Sequence, residues 1–219
     1  MWSSEVTNMI ITGIWETLYM TLVSTLVGYV IGLPMGIILT VSDKDGIKPN
    51  AVLYKILDVI ANIVRSVPFI ILLVLLIPFT RLVVGKSYGS TATIVPLVIA
   101  AAPYIARMVE SSLKEVDAGV IEAARSMGAS NFTIITKVML VETRTSLLVG
   151  ATITLGTILG YSAMSGAVGG GGLGAIAIRY GYTRWQTDIM IVTVILLIIL
   201  FQIFQTVGMK LADKFDHRK

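Results

Sequence analysis

Hydrophobic residues along this chain fall into long uncharged runs separated by short polar clusters, and the runs decide the fold class before any motif is considered. No Asp, Glu, Lys or Arg occurs in 17–42, bounded by Glu16 and Asp43, nor in 66–80, 87–106, 145–178 or 189–209. A bilayer core is crossed by about 20 predominantly apolar residues in helix. The pattern therefore predicts an all-α membrane protein with five transmembrane helices, at 17–41, 57–80, 88–106, 145–166 and 189–209. It also predicts one transmembrane domain over 1–219 with a single long connection, so that any ATPase or binding domain belongs to a separate chain.

Details within the runs refine this expectation. Gly28, Gly32 and Gly36 recur every four residues, which stacks small residues on one helix face and lets a neighbouring helix approach closely. The second run is short, because only 66–80 separates Arg65 from Arg81. Either it re-enters, or a span over 57–80 is broken or tilted at Pro68 and Pro78, with Arg65 reaching the cytoplasmic surface or a protein partner. Pro96 and Pro103 in the third run are tolerable where neighbouring helices satisfy the freed carbonyls. Trp15 and Tyr19 sit like interface anchors near the first run. No Lys or Arg precedes Lys44, so the basic region of a secretory signal is missing and the first span is expected to persist in the mature protein.

Composition agrees: 55% hydrophobic and 14% charged residues, with a mean hydropathy of +0.86, are membrane values. The net charge of +4 comes from basic residues in the connections, which speaks of membrane orientation more than of nucleic acid. Of the 17 Lys and Arg, twelve lie in one set of connections (Lys44, Lys48, Lys55, Arg107, Lys114, Arg125, Lys137, Arg144, Lys210, Lys214, Arg218 and Lys219). Four lie in the other (Arg81, Lys86, Arg179 and Arg184), Arg65 standing apart. The asymmetry predicts the C-terminus and the 107–144 connection inside and the N-terminus outside. There is no cysteine, and the one histidine, His217, is in the tail, so disulfides and a metal-centred mechanism are not expected.

The long inner connection holds the distinctive polar motif Glu122-Ala123-Ala124-Arg125-Ser126-Met127-Gly128. Asp117 is placed to N-cap a helix through it, Gly128 to end that helix in the left-handed conformation, and Ser130 to cap the next. Ala123 and Ala124 would give the helix a low face for a partner, and Glu122 an acceptor across the contact. The spacing resembles the cytoplasmic loop of the permeases of ATP-binding-cassette importers: Glu-Ala-Ala, three residues, Gly, nine residues, then Ile-x-Leu-Pro. Here the last element reads Val138-Met139-Leu140-Val141, with valine where the motif has proline.

Further stretches are similar to the methionine importer permease subfamily. They are Arg65-Ser66-Val67-Pro68-Phe69, Ala102-Pro103-Tyr104-Ile105-Ala106-Arg107-Met108-Val109-Glu110, Gly160-Tyr161-Ser162-Ala163-Met164-Ser165-Gly166, the glycine run after it, and Arg179-Tyr180-Gly181-Tyr182. The resemblance implies a homodimer of this chain in a bacterial inner membrane, two separate ATPase subunits docked on the 117–131 loop, and an external substrate-binding lipoprotein. ATP would be used by the partner and no cofactor bound here. The cargo class rests on the likeness alone.

Chemistry within the chain itself is not expected. The phosphate-cradling GxxxxGK[ST] and the GxSxG nucleophile turn are absent. Gly169, Gly171 and Gly174 match GxGxxG, but they follow a membrane helix rather than a strand and read as a flexible turn or a close subunit contact. Glu110, Glu115 and Asp117 read as solvated charges or as partners of Lys114 and Arg107. For the translocation path, 161–166 is singled out, with Tyr161 in it, Ser162 and Ser165 facing the dimer axis and Met164 a flexible apolar gate, against a packing role for Met164. Two rival functions stand beside the importer: the same machinery with another nutrient, and an ion-coupled carrier or channel. The latter requires charges deep in the spans, and spans one, three, four and five have none in their inner stretches.

Overall fold

The computed structural model describes residues 4–215, so His217, Arg218 and Lys219 of the basic tail lie outside the described residues. Among these the regular structure is helical throughout. Four segments are long and apolar enough to cross a membrane: α1 (Ser4–Ser42), α5 (Ser90–Leu113), α9 (Arg144–Ser165) with the turns after it, and α11 (Thr187–Lys214). The pair α2 (Ala51–Ser66) and α3 (Phe69–Leu75) makes a fifth if counted together, although the two axes meet at 102°. The short α4 (Ile77–Val84) follows α3 after a break at Leu76.

The expected break at Pro68 is present, but it is a corner rather than a tilt. Proline disfavours helical backbone in the residue before it, and Val67 is extended at φ −81°, ψ 125°. Span two is thereby not a straight helix over 57–80: α2 starts at Ala51 and is strongly amphipathic, and α3 and α4 carry the apolar run on to Val84. The third helix runs unbroken through Pro96 and Pro103 and passes Arg107 to end at Leu113.

The glycines of α1 do what their spacing predicts. A Cβ at Gly28 would lie 2.9 Å from Ala101 Cβ, and at Gly32 and Gly36 it would lie 2.6 Å from the carbonyl oxygens of Ala102 and Ala106. In lipid, where apolar surface gains nothing from leaving water, such close backbone approach supplies dispersion and weak polar contacts that hold helices together. α5 is the central helix. Its Leu97, Ala101, Ile105, Val109 and Leu113 form a buried ridge that joins Met20 of α1, Phe69 and Leu73 of α3 and Ile158 of α9.

The glycine run is neither open nor merely flexible. It continues into a short helix, α10 (Gly172–Ile176), wedged beside the start of α1. Glu16 Oε2 accepts the Gly172 N–H at 2.6 Å, and Thr17 Oγ1 accepts the Leu173 N–H at 2.9 Å. Gly89 N–H donates to Gly169 O at 2.9 Å, tying the run also to the start of α5. These contacts lie within one subunit.

Candidate functional site

The 107–144 connection folds as its polar signals predict. Helix α6 (Ala118–Ser126) is capped by Asp117, whose Oδ1 accepts the Gly119 N–H at 2.7 Å. Its far end closes with Gly128 at φ 81°, where Gly128 N–H donates to Arg125 O at 2.9 Å and Ala129 N–H to Ala124 O at 3.1 Å. That pair of bonds satisfies carbonyls the helix end leaves open, and a left-handed residue at the hinge is what glycine supplies without Cβ strain. Ser130 then accepts the Thr133 N–H and starts α7 (Asn131–Thr133), which runs through a wide π-helical turn at Ile134–Met139 into α8 (Leu140–Glu142). The chain breaks at Thr143 even though Val141 replaces the motif proline.

The motif divides into a buried side and a free side. Ala124 is 4% exposed and packs with Leu113, Ile134 and Met139. Val120, Glu122 and Ala123 are exposed, with Met127 at 82% and Phe132 at 76%. Val120, Ala123 and Met127 recur at helical spacing, so they share one outward face, low at its centre and apolar at its edge. Arg125 turns away from that face and donates to Ile47 O at 2.6 Å, fastening α6 to the connection between α1 and α2.

Behind this loop lies an ion network that charge counting did not reveal. Glu110, 5% exposed, accepts from Arg107 Nη1 at 2.6 Å, from Lys114 Nζ at 2.8 Å and from the Tyr54 hydroxyl at 3.3 Å. Arg107 also pairs with Asp58 of α2, and Lys114 with Asp43 at 2.7 Å. The Lys114 hydrogen bond draws the Asp43 carboxyl below its usual range, with burial opposing. Burial pulls Lys114 down, but its hydrogen bonds to Asp43 and Glu110 outweigh it and leave the ammonium above its ordinary range. Glu115 accepts from Ser146 Oγ at 3.1 Å, and that hydroxyl lies 2.9 Å from Ser112 Oγ. Glu110 is thus the expected partner of Arg107 and Lys114, buried rather than solvated, whereas Glu115 and Asp117 stay exposed, one bonded to Ser146 of α9 and the other capping α6. The signal available was the i, i+3 and i, i+4 spacing of Arg107, Glu110 and Lys114.

A folded polar loop with one anchored and one free face, on a multi-helix membrane bundle, matches a known family description. The profile of the binding-protein-dependent transport system inner membrane component covers residues 28–218. The chain belongs to that family. It is accordingly a multi-pass protein of the inner membrane.

Individual members of the family are close. The probable D-methionine transport system permease protein MetI of Vibrio cholerae is 48% identical over 217 residues, covering 99% of this chain and 96% of that protein. Its counterpart in Pasteurella multocida is 49% identical, covering 93% and 94%. Among solved structures, the inward-facing MetNI methionine ABC transporter in its native crystal form matches with a TM-score of 0.97 at 49% identity, over 99% of this chain and 100% of that one. An amino acid ABC transporter crystallised with histidines matches at 0.73 and 21% identity, which shows the shared fold.

Within this transport-component bundle, the sequence-predicted path residues separate. Tyr161 stacks on Phe69, ring centroids 4.3 Å apart and planes 3° from parallel. Met164 is half exposed. Ser162 and Ser165 do not face outward: both are buried, donating to the carbonyls of Leu159 and Ser162 at 2.8 and 2.6 Å. The tight return of the chain at Gly166 and Gly170 covers them, since a Cβ at Gly170 would meet Ser165 Oγ.

Proposed function

We propose that this chain is the permease subunit of an ATP-driven methionine importer. Two copies form the path, a separate ATPase docks on each copy's α6, and an external binding protein delivers substrate. The reading is supported above all by identity near one half sustained over almost the whole length of proteins named for D-methionine transport. The geometry of α6 suits it, because a socket-filling helix needs a low exposed face and a rigid mount. Ala123 between Val120 and Met127 provides the first, and the Arg125–Ile47 bond with the Ala124 contacts the second.

In this mechanism the ATPase pair closes on ATP, carries the docked α6 helices inward and turns the path outward; hydrolysis reverses it. The residues 122 to 128 are the coupling element, Tyr161 and Met164 line the path, and this chain neither binds nor hydrolyses ATP. The twelve-to-four distribution of Lys and Arg supports a cytoplasmic α6 and an external N-terminus. Four of the twelve are the network and anchor residues Arg107 and Lys114, Arg125, and Arg144 at the start of α9, so the assignment draws on the same end of the bundle.

The test is reconstitution in vesicles with the cognate ATPase and binding protein. ATP-dependent accumulation of labelled methionine is expected. Accumulation of a different amino acid would retain the machinery and replace the cargo, whereas uptake driven by an ion gradient without ATP would overturn the reading.

A further inference from the structure

Arg65 is the one cation of the second apolar run that the mechanism above leaves unused, and the fold gives it a specific place. α2 runs antiparallel along α5, with Tyr54 opposite Glu110 and Asp58 opposite Arg107. Continuing that register brings Arg65 to the level of Tyr104 and Ala100, near the middle of α5 rather than at its charged end. It is seven residues of helix, roughly 10 Å, beyond Asp58 and one turn beyond Asn62, whose amide oxygen accepts from Arg107 Nη2 at 3.0 Å.

Its surroundings form a small mixed cavity at the α2–α3 corner. Arg65, Val64, Phe69, Ala100, Tyr104 and Tyr161 line a volume of about 180 Å³. The stacked Phe69 and Tyr161 rings make one flat wall. Cavities on the order of 150 Å³ accept a benzene-sized apolar group. Arg65 is exposed and forms no ion pair among the described residues, in contrast to Arg107, which has two carboxylate partners. A charge held within the membrane without a protein counter-ion marks a place where a charged ligand or water passes. A planar guanidinium is matched by a carboxylate, which it holds with two parallel hydrogen bonds.

We propose that Arg65 and this corner cavity form a transient binding station on the path, where the guanidinium takes the α-carboxylate of the passing amino acid and the aromatic cavity takes its apolar side chain. The inference rests on the methionine reading above. It makes Arg65 a substrate-contacting residue and gives the 102° bend a purpose, since a straight span would have no such corner. The opening of the path exposes the station to one side of the membrane, and the charge–carboxylate contact must be weak enough to release on the other.

The experiment uses the permease–ATPase complex in proteoliposomes with substrate-loaded binding protein in excess. Labelled methionine carried in and ATP hydrolysed are measured on the same vesicles for the wild type, Arg65→Gln and Arg65→Lys. Loss of a charge-assisted contact predicts that Arg65→Gln carries about ten-fold or more less methionine per ATP. ATP hydrolysis should stay within about two-fold of wild type, and Arg65→Lys should recover a substantial part of the transport.

Three results overturn the proposal. One is an unchanged methionine-to-ATP ratio in Arg65→Gln, which leaves Arg65 a solvated anchor. The second is a parallel fall of uptake and hydrolysis, or failure of both variants to co-elute with the ATPase, which makes Arg65 a structural residue. The third is a defect that disappears in vesicles without anionic lipid, which assigns the guanidinium to a lipid phosphate. If the wild type carries a different amino acid, the cargo reading falls but the same ratio measured with that amino acid still judges Arg65.

Discussion

The carboxylate of Glu16 reaches across 156 positions of sequence to accept the Gly172 N–H at 2.6 Å, and the neighbouring Thr17 hydroxyl accepts from Leu173. A carboxylate in an apolar segment is costly unless every lone pair has work, and the exposed amides at the start of a helix are suited to it. Removing the charged acceptor should cost about 1.5–3 kcal/mol. Glu16→Ala is therefore expected to lower the thermal midpoint of the purified complex by several degrees, with Glu16→Gln intermediate. An unchanged midpoint for Glu16→Ala would show that the contact contributes nothing.

Glycine sites offer an internal contrast. Alanine at Gly32 or Gly36 drives a methyl against an α5 carbonyl oxygen at 2.6 Å, and at Gly174 against Ala163 O, all backbone that cannot rotate away. Each is expected to cost about 1–3 kcal/mol. At Gly160 nothing lies within 4 Å, so Gly160→Ala should be neutral or slightly stabilising through helix propensity. Thermal unfolding of the four variants side by side reads the ranking, and equal effects at Gly160 and Gly32 would dissolve the packing argument.

Adjacent alanines of α6 should behave differently. Ala123→Asp puts a charge on the free face, and the complex is expected to insert, fold and lose uptake because the socket contact is lost. Ala124→Asp buries a carboxylate among Leu113, Ile134 and Met139 without a partner, and is expected to lose the folded protein itself. Gly128→Val forces a β-branched residue to φ 81°, costing about 1–3 kcal/mol in the turn and displacing the helix end. Yield by gel filtration and uptake in vesicles separate these outcomes; normal uptake by Ala123→Asp would refute the docking role.

Acid should loosen the Arg107–Glu110–Lys114 network in a defined window. The folded-state Asp43 carboxyl lies below its unfolded value, so its contribution is present above about pH 4 and is lost as the pH falls through the depressed value. Lys114 is shifted upward, so its contribution is full below about pH 10 and lost only above that. Stability from this pair is thus expected to be level between about pH 5 and 9. With the Lys114 side chain 42% exposed, the pair contributes no more than about 1 kcal/mol. Asp43→Asn should flatten the acid limb of midpoint against pH, and an unaltered limb would remove Asp43 from the account.

For the gate, Met164 is the exposed member of its segment. On the reading that Met164 gates the path, Met164→Ala is expected to raise ATP hydrolysis in the absence of substrate and to increase the resting leak, since a shorter side chain would close the path less completely. Tight coupling and an unchanged leak in that variant would return Met164 to ordinary packing.

How much of this was legible beforehand depends on the range of the interaction. The four-residue glycine spacing and the Asp117, Gly128 and Ser130 caps are local signals, and each appears where the pattern puts it. What escaped depends on residues far apart in sequence. Hydropathy marked Glu16 as the edge of a span, because nothing near it announces an amide 156 residues later. The same blindness left Asp43 and Asp58 out of the Arg107–Glu110–Lys114 cluster, and let Ser162 and Ser165 pass for path residues before the Gly166 return was seen to cover them. Pro68 signalled a break but not its angle, which is set by packing of α3 on α5 and α9.

The short bond from Arg125 to the Ile47 carbonyl has a mechanical meaning. It spans the gap between α6 and the strap that leads from α1 into α2, beside a hollow of about 470 Å³. Any force applied at α6 is therefore delivered along two routes at once, through Ala124 into the central helix and through Ile47 into the amphipathic one.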